Sequence, residues 1–501
     1  MNDAIKTLKE LVGEVVDLNH TVALLDWDLQ TKMPTGGADE RSHQLATVQR
    51  LAHEMFTGSA VGDALEAARA AVKDDDPDSD DARLVWKVGR EFDKQTKVTA
   101  DWVGEFARVT SLAQQAWQVA KPKSDFQAFK PHLSKIIGLR REYADFFQPY
   151  DDVYDPLLDD FEPGMTTAQV TEIFADLRKE QVALVQAISD RPQLDDSVLH
   201  QSYPIDKQWA FGERVVKRFG FDFDRGRQDK SAHPFTTTFG LGDVRITTRV
   251  QEDFLSPALF ATLHEAGHAI YEQGFRPALA RTLLADGASL GIHESQSRLW
   301  ENLVGRSRPF WSHFYPDLQK TFPETLGSVD MEMFYRAANK VEPSLIRVEA
   351  DEATYNLHIM VRFELEQAML NGDLAVDDVP GAWNERYQSF LGITPPDDEH
   401  GVLQDIHWSI GAVGYFPTYA LGNLIACQWW EKLHSDIPDL DTQIGAGEFG
   451  QLLGWLRENI HQHGAKFKPT ELIERVTGES LNAKPYLHYL KGKFGELYDL
   501  G

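Results

Sequence analysis

The sequence predicts a mainly α-helical globular protein, on three observations. Apolar residues recur at helical spacing along most of the chain, start and stop signals flank the clearest of these runs, and strand-like text is confined to one short stretch. With 501 residues, 42% hydrophobic and 26% charged, the chain can bury a large core. Length alone suggests about three domains, yet no repeat, low-complexity tract or Pro/Ser-rich linker divides it. It is read as one unit, 1–501, with a helical part about 1–230, a core about 231–430 and helices about 431–501.

In chain order, the first landmark is the acidic run from Asp74 to Asp81. So much like charge cannot pack, which predicts a solvated loop between N-terminal helices; the glycine and terminal glutamate of an EF-hand are missing. Thr166 and Gln169 then form a capping-box pattern, after which Val170, Ile173, Phe174 and Leu177 share one helical face. Between Ser231 and Val250, Thr, Phe and Val alternate around a Gly-Leu-Gly break, predicting a hairpin or three-stranded sheet. An edge strand there could hold an extended peptide by backbone hydrogen bonds. From Ser256 to Gly274 helix signals are strong, with Ser256 as N-cap, Pro257 at the first helical position and Gly274 after the last turn.

Charge and cysteine exclude whole classes of activity. Lys and Arg number 50 against 78 Asp and Glu, a net −28 that nucleic-acid phosphates and anionic membranes repel. A single cysteine, Cys427, allows no intrachain disulfide and no Cys-rich metal site, as expected for a reducing compartment. The N-terminus lacks the apolar core of a signal peptide, and no stretch approaches the roughly 18 apolar residues of a membrane span. The expectation is cytoplasmic residence without a membrane or nucleic-acid partner.

The chemistry is concentrated in HEAGH, residues 264–268. His264 and His268 lie four apart on a helix, on nearly the same face, so both imidazoles can reach one ion. Glu265 stands beside the first of them, where its carboxylate can take a proton from a metal-bound water without being a ligand. With 17 histidines in the chain, an accidental HExxH has a probability on the order of a few per cent; the bland reading is two ordinary core histidines. A catalytic zinc site needs a third protein ligand and an open position. Glu294, 26 positions beyond His268 in GIHESQSRLWENL, is the preferred candidate; adjacent His293 could compete, but consecutive helical residues diverge by about 100°.

Six motifs in order then carry a resemblance: His233-Pro234-Phe235, the DVRIT stretch through Asp243 and Arg245, HEAGH, HESQ from His293, IRVEAD from Ile346 to Asp351, and GVLQDIHW from Gly401 to Trp408. With LLDWDLQTKMP near Trp27 and GYFPTYALGN from Gly414, the similarity runs through nearly the whole chain. The sequence is similar to the carboxypeptidase Taq family, or thermostable carboxypeptidases, metallopeptidases that remove single residues from peptide C-termini. The resemblance implies a large, mainly α-helical metallopeptidase fold with a deep central groove, a small β-sheet beside the metal, and a homodimer. It places the metal on His264, His268 and Glu294 and the general base on Glu265.

It also makes Arg347 the group that captures the substrate carboxylate, a task suited to a guanidinium fork. The alternative is an ordinary ion pair within its helix to Glu349, Asp351 or a neighbouring acid. Asp351, four residues on, is expected to orient Arg347. Tyr419 and His407 are the expected oxyanion or substrate donors, with Tyr415 close enough to compete for the tyrosine role. Each could instead be a core aromatic, His407 held by Asp405 or Gln404. His233, Asp243 and Arg245 are expected to hold ligands or the sheet from behind. Zn²⁺ is the expected ion, with Co²⁺ or Mn²⁺ as possible substitutes.

Rival functions share part of this pattern. A helical-groove endopeptidase or dipeptidyl carboxypeptidase would use the same zinc chemistry without requiring release of one residue. A di-iron carboxylate oxidoreductase uses Glu-x-x-His pairs, which occur here at Glu40/His43, Glu265/His268, Glu431/His434 and Glu458/His461; that reading leaves His264 without a role. A metal-stabilised scaffold without turnover would have no use for Glu265.

Overall fold

The structure of the protein is a computed structural model describing residues 2–500. The architecture is mainly α-helical, with 21 α-helices and one three-stranded sheet among the described residues. The first helix, Asp3–Thr31, begins where the Asn2 side chain accepts from the Ala4 N–H at 2.9 Å. Its Ile5, Leu8, Val12, Val15 and Val16 are buried, following the helical period. They meet residues from the helices Ala38–Phe56, Ser59–Ala71 and Asp80–Lys97 in a separate core, to which Leu279 and Leu284 belong. The larger core draws on residues from Val109 to Tyr498. None of the described helices is long and apolar enough to cross a membrane.

The acidic run does turn between two N-terminal helices, but its end is not bare solvated charge. Ser79 caps the Asp80–Lys97 helix by accepting from the Ala82 N–H. Asp78 pairs with Arg83 and Arg475, Asp80 with Arg276 and Lys466, and Asp81 with Lys9. Carboxylates in the first turn also favour the partial positive charge of the helix N-terminus, so part of the run is structural. The Thr166 capping box forms with both of its hydrogen bonds and opens the Thr167–Ser189 helix, with Val170, Phe174 and Leu177 buried.

The sheet comprises β1 (Gly226–Lys230), β2 (Thr236–Thr238) and β3 (Val244–Thr248) in the order β1-β3-β2. β2 and β3 make the expected hairpin, with Thr236 opposite Ile246, while β1 runs parallel to β3 with Gly226 opposite Val244. β1 lies upstream of the strand-like text, and its sequence GRQDK carries no β-branched residue. Pairing with β3 overrides propensity there. β2 is left as an edge strand.

The HEAGH helix spans Leu255–Gln273 and begins two residues earlier than expected, with Phe254 at the N-cap and no side-chain cap. Ser256 is therefore inside the first turn rather than the cap. Pro257 remains in that first turn, where helical N–H groups lack intrahelical partners in any case. The Leu290–Arg298 helix packs against both this helix and Pro417–Asp436. Two glycines permit that approach. A Cβ on Gly267 would lie 2.6 Å from the Gln296 carbonyl oxygen and the Ser297 Cα, and one on Gly422 would lie 2.5 Å from Glu294 Cβ and Cγ.

Candidate metal centre

His264 and His268 project from one helix and Glu294 from the next, and their three donor atoms lie within 4.8 Å of one another. Glu294 Oε2 is 3.6 Å from His264 Nε2 and 3.4 Å from His268 Nε2. Among the described residues this is the one His/Cys/Asp/Glu group of three or more able to hold an ion. The glutamate–histidine pairs at Glu40, Glu431 and Glu458 assemble no such group. His434 instead meets Asp441, and His461 meets Gln296.

Each donor is oriented from behind. His264 Nδ1 is 2.8 Å from Glu301 Oε2, so it donates there and leaves Nε2 a lone pair. His268 Nδ1 is 2.5 Å from His293 Nδ1, and His293 Nε2 is 2.8 Å from Glu272 Oε1. A proton on His268 Nδ1 and another on His293 Nε2 satisfy that chain and again free Nε2 of the ligand. Thus His293 supports the site through His268 and Glu272, while Glu294 faces the histidines. Glu294 Oε1 accepts from Arg298 Nε at 2.7 Å, and Arg298 Nη1 reaches Glu301 at 3.2 Å. Two imidazoles with acceptor-bound Nδ1 and an anionic carboxylate are a donor set that fits a divalent cation.

The ionisation states agree with this fit. Burial would raise the Glu294 carboxyl, but Arg298 and the two histidines pull it far below the usual range. Burial and then His293 push the His268 imidazole down to about 3. For His264 burial lowers the value, but Glu294 and Glu301 reverse this to a net rise, the response of a site with surplus negative charge. Glu301 lies in a π-helical turn, Leu299–Val304, that continues the Leu290–Arg298 helix. Changing Glu301 to Gln is expected to weaken metal affinity about 10- to 100-fold, measured by competition with a chelating indicator. Unchanged affinity would remove it from the support of His264.

Glu265 is buried beside β2. Thr236 Oγ1 lies 2.7 Å from Glu265 Oε2 and 2.9 Å from the Glu265 carbonyl. Burial raises its carboxyl against the opposing pull of His264 and Thr236, which makes it a stronger proton acceptor than an exposed glutamate.

Arg347 is buried in a single 3-10 turn, Arg347–Glu349. Its Nε and Nη2 donate to Asp405 Oδ1 at 3.0 and 2.8 Å, and its Nη1 donates to Tyr355 OH at 3.0 Å. Asp405 also pairs with Arg362, whose Nε meets Oδ2 at 2.7 Å. Burial would raise the Asp405 carboxyl, but Arg347 and Arg362 hold it far below its ordinary range. The expected Asp351–Arg347 pair does not form. Asp351 accepts from the N–H groups of Glu342, Ala353 and Thr354 and from Thr354 Oγ1. The four-residue spacing presupposed a helix, but the chain leaves the 3-10 turn at Ala350 in extended backbone. Asp405 takes the orienting position.

Tyr419 and His407 come together, with 3.3 Å between Tyr419 OH and His407 Nε2. The Arg347 guanidinium lies 5.0 Å from the Tyr419 ring centre, and Tyr415 lies 5.3 Å from it. Burial lowers His407 to about 3 even with Asp405 4.0 Å away, so this imidazole is neutral. Burial also raises the Tyr419 phenol far above its ordinary range. Asp243 and Arg245 bind each other at 2.8 and 2.7 Å, and the Arg245 guanidinium sits 4.3 Å from the Trp27 ring centre. They tie the sheet to the first helix. His233 is exposed, and its carbonyl accepts from Ser231 Oγ.

Glu301, Arg298, Tyr355 and Arg362 are parts of this constellation that the sequence reading missed. Glu301 and Arg298 stand in the same text as Glu294, seven and four residues on, a spacing that could have pointed to them. Tyr355 and Arg362 carried no comparable signal.

The ligand helix is fixed at its start by another carboxyl group. Ser289 caps it by accepting from the Ile292 N–H, and Glu162 accepts from the Gly291 N–H. Burial raises Glu162 to about 8 despite hydrogen bonds from Ser289 and Gly291. In the unfolded chain a glutamate titrates near about 4.3, so the folded state retains a proton that the unfolded state releases. The Glu162 contribution to stability is present below about 4.3 and lost as pH rises through about 8. Glu162→Gln is expected to flatten that part of the pH dependence. Thermal unfolding of parent and variant at pH 6 and pH 9 checks this, and parallel slopes would exclude it.

Residues 7–494 match the family model described as Carboxypeptidase Taq (M32) metallopeptidase. Thermostable carboxypeptidase 1 of Thermus thermophilus is 42% identical, over 99% of each chain. Carboxypeptidase 1 of Bacillus subtilis is 38% identical, over 98% of each. The crystal structure of M32 carboxypeptidase from Deinococcus radiodurans R1 superposes with a TM-score of 0.97 at 44% identity, covering 99% of this chain and all of that one.

Proposed function

The chain belongs to the carboxypeptidase Taq (M32) family of metallopeptidases, and from that premise we propose that it hydrolyses single residues from the free C-terminus of peptides. The supporting observation is a three-donor metal set joined, through Arg298 and Tyr355, to the buried guanidinium of Arg347. The whole chain acts as one catalytic unit, and we extend the proposal to a homodimer in the cytoplasm.

His264, His268 and Glu294 would hold a Zn²⁺ ion, or Co²⁺ or Mn²⁺ in its place, which when bound would supply Lewis-acid polarisation to the scissile carbonyl and to a water. Glu265 takes the proton of the attacking water and delivers it to the leaving amine. Thr236 holds the Glu265 carboxylate in place through Oε2. Arg347 receives the substrate carboxylate. A guanidinium has five N–H groups; three are engaged by Asp405 and Tyr355, leaving two for a bidentate contact. Tyr419, whose phenol retains its proton, donates to the oxyanion of the tetrahedral intermediate, and neutral His407 positions the Tyr419 hydroxyl.

The test uses one peptide as free acid and as C-terminal amide, with metal-loaded protein and products read by mass. Stepwise loss of single residues from the acid alone supports the proposal. Internal cleavage of both forms would favour an endopeptidase and remove the carboxylate role of Arg347.

A further inference from the structure

Arg347 lies among the Tyr419 and Phe416 rings, and its guanidinium is hydrogen-bonded at two points of unequal character. Both bonds to Asp405 end on one oxygen, Oδ1, because Arg362 occupies Oδ2. A single acceptor atom is a pivot about which the guanidinium plane can turn. The second point is the Tyr355 hydroxyl, 3.0 Å from Nη1. Tyr355 is the first residue of the Tyr355–Asn371 helix and is buried, so its ring is fixed by its surroundings. Arg298 lies over one face with its guanidinium 4.4 Å from the ring centre, and Tyr419 meets the ring edge-on at 6.2 Å. The same Arg298 binds Glu294 Oε1. A continuous contact path therefore runs from the metal ligand through Arg298 and the Tyr355 ring to Arg347.

We propose that Tyr355 is a positioning residue that sets the spacing between the metal ligands and Arg347, and thereby which peptide bond is cut; this rests on Arg347 being the carboxylate anchor. An anchor fixed at one distance from the metal admits one residue beyond the scissile carbonyl. An anchor free to turn about Asp405 Oδ1 accepts a carboxylate at more than one distance, so fidelity to single-residue release declines. The hydroxyl is the element that prevents turning, while the ring supports Arg298.

Tyr355→Phe separates these duties, since it keeps the ring and removes only the hydroxyl. Metal-loaded parent, Tyr355→Phe and Arg347→Met are compared on one free-acid peptide and its amide, with metal content and Tm measured for each. The expected result for Tyr355→Phe is unchanged metal content and Tm, kcat within about twofold, KM raised about tenfold, the value of one hydrogen bond to a charged group, and two-residue products among the one-residue products. Parental KM and single-residue release in Tyr355→Phe, with Arg347→Met losing its preference for the acid, would overturn the role of Tyr355 alone. If Arg347→Met keeps the acid-over-amide preference, the anchor reading itself fails and this inference falls with it. A Tyr355→Phe protein that loses metal and Tm together would show a merely structural residue and also overturn the proposal.

Discussion

Glu265→Gln is expected to lower kcat by about 10²- to 10⁴-fold, the usual worth of a positioned general acid-base group, with metal content unchanged. The amide is nearly isosteric with the carboxylate and can still accept from Thr236 Oγ1, which lies 2.7 Å from Oε2 in the parent. The three donors, His264, His268 and Glu294, are untouched by the change. What disappears is a buried carboxylate whose proton affinity burial has raised and to which the proposed mechanism assigns both acceptance and return of a proton. The informative comparison is therefore kcat at equal metal occupancy, with KM as a control for substrate binding. Activity within about tenfold of the parent, with metal bound, would mean that the proton travels by another group.

Arg347→Met should act on a different quantity. We expect kcat/KM for a free-acid peptide to fall by about 30- to 1,000-fold, the 2 to 4 kcal/mol range for losing one side of a buried, hydrogen-bonded charge contact. Hydrolysis of the amide, expected to be slow in the parent, should not change. The fold should survive because Asp405 retains Arg362 at 2.7 Å. Arg347→Lys should recover little, since an ammonium cannot hold Asp405 and Tyr355 while presenting a fork to the substrate. Rates on acid and amide peptides with all three proteins decide the matter. A uniform loss on both substrates would mean that Arg347 supports the site without reading the carboxylate.

How much of this was legible in the sequence follows from how locally each part is encoded. His264, Glu265 and His268 sit on a single helix with a fixed periodicity, so five letters specify their geometry. Glu294 was legible only as a preference over His293, because its approach to the histidines depends on helix packing at Gly267 and Gly422. Asp405 was considered only as a partner of His407, yet it joins Arg347 and Arg362 across loops that no period describes. Asp351 was misplaced because i,i+4 reasoning was applied where only one 3-10 turn forms. The helical class and the β2–β3 hairpin followed from patterning, whereas β1 exists because β3 offers it a partner. Local rules reached what one element determines alone, and missed what two distant segments determine together.

The close helix contacts at Gly267 and Gly422 bear on how the protein is loaded and unloaded. Gly267 lies against the backbone of Gln296 and Ser297, and Gly422 against Glu294 itself, so the helix that carries Glu294 is held by packing on two sides. Metallation is then expected to fill donors that packing already holds together, unlike a zinc finger, whose folding and metal uptake are one event. Chelation is expected to strip such a cage without unfolding the chain, and remetallation to need no refolding. Among similar divalent cations, two imidazoles and one carboxylate discriminate weakly by affinity alone, so availability joins geometry in deciding which one fills the cage.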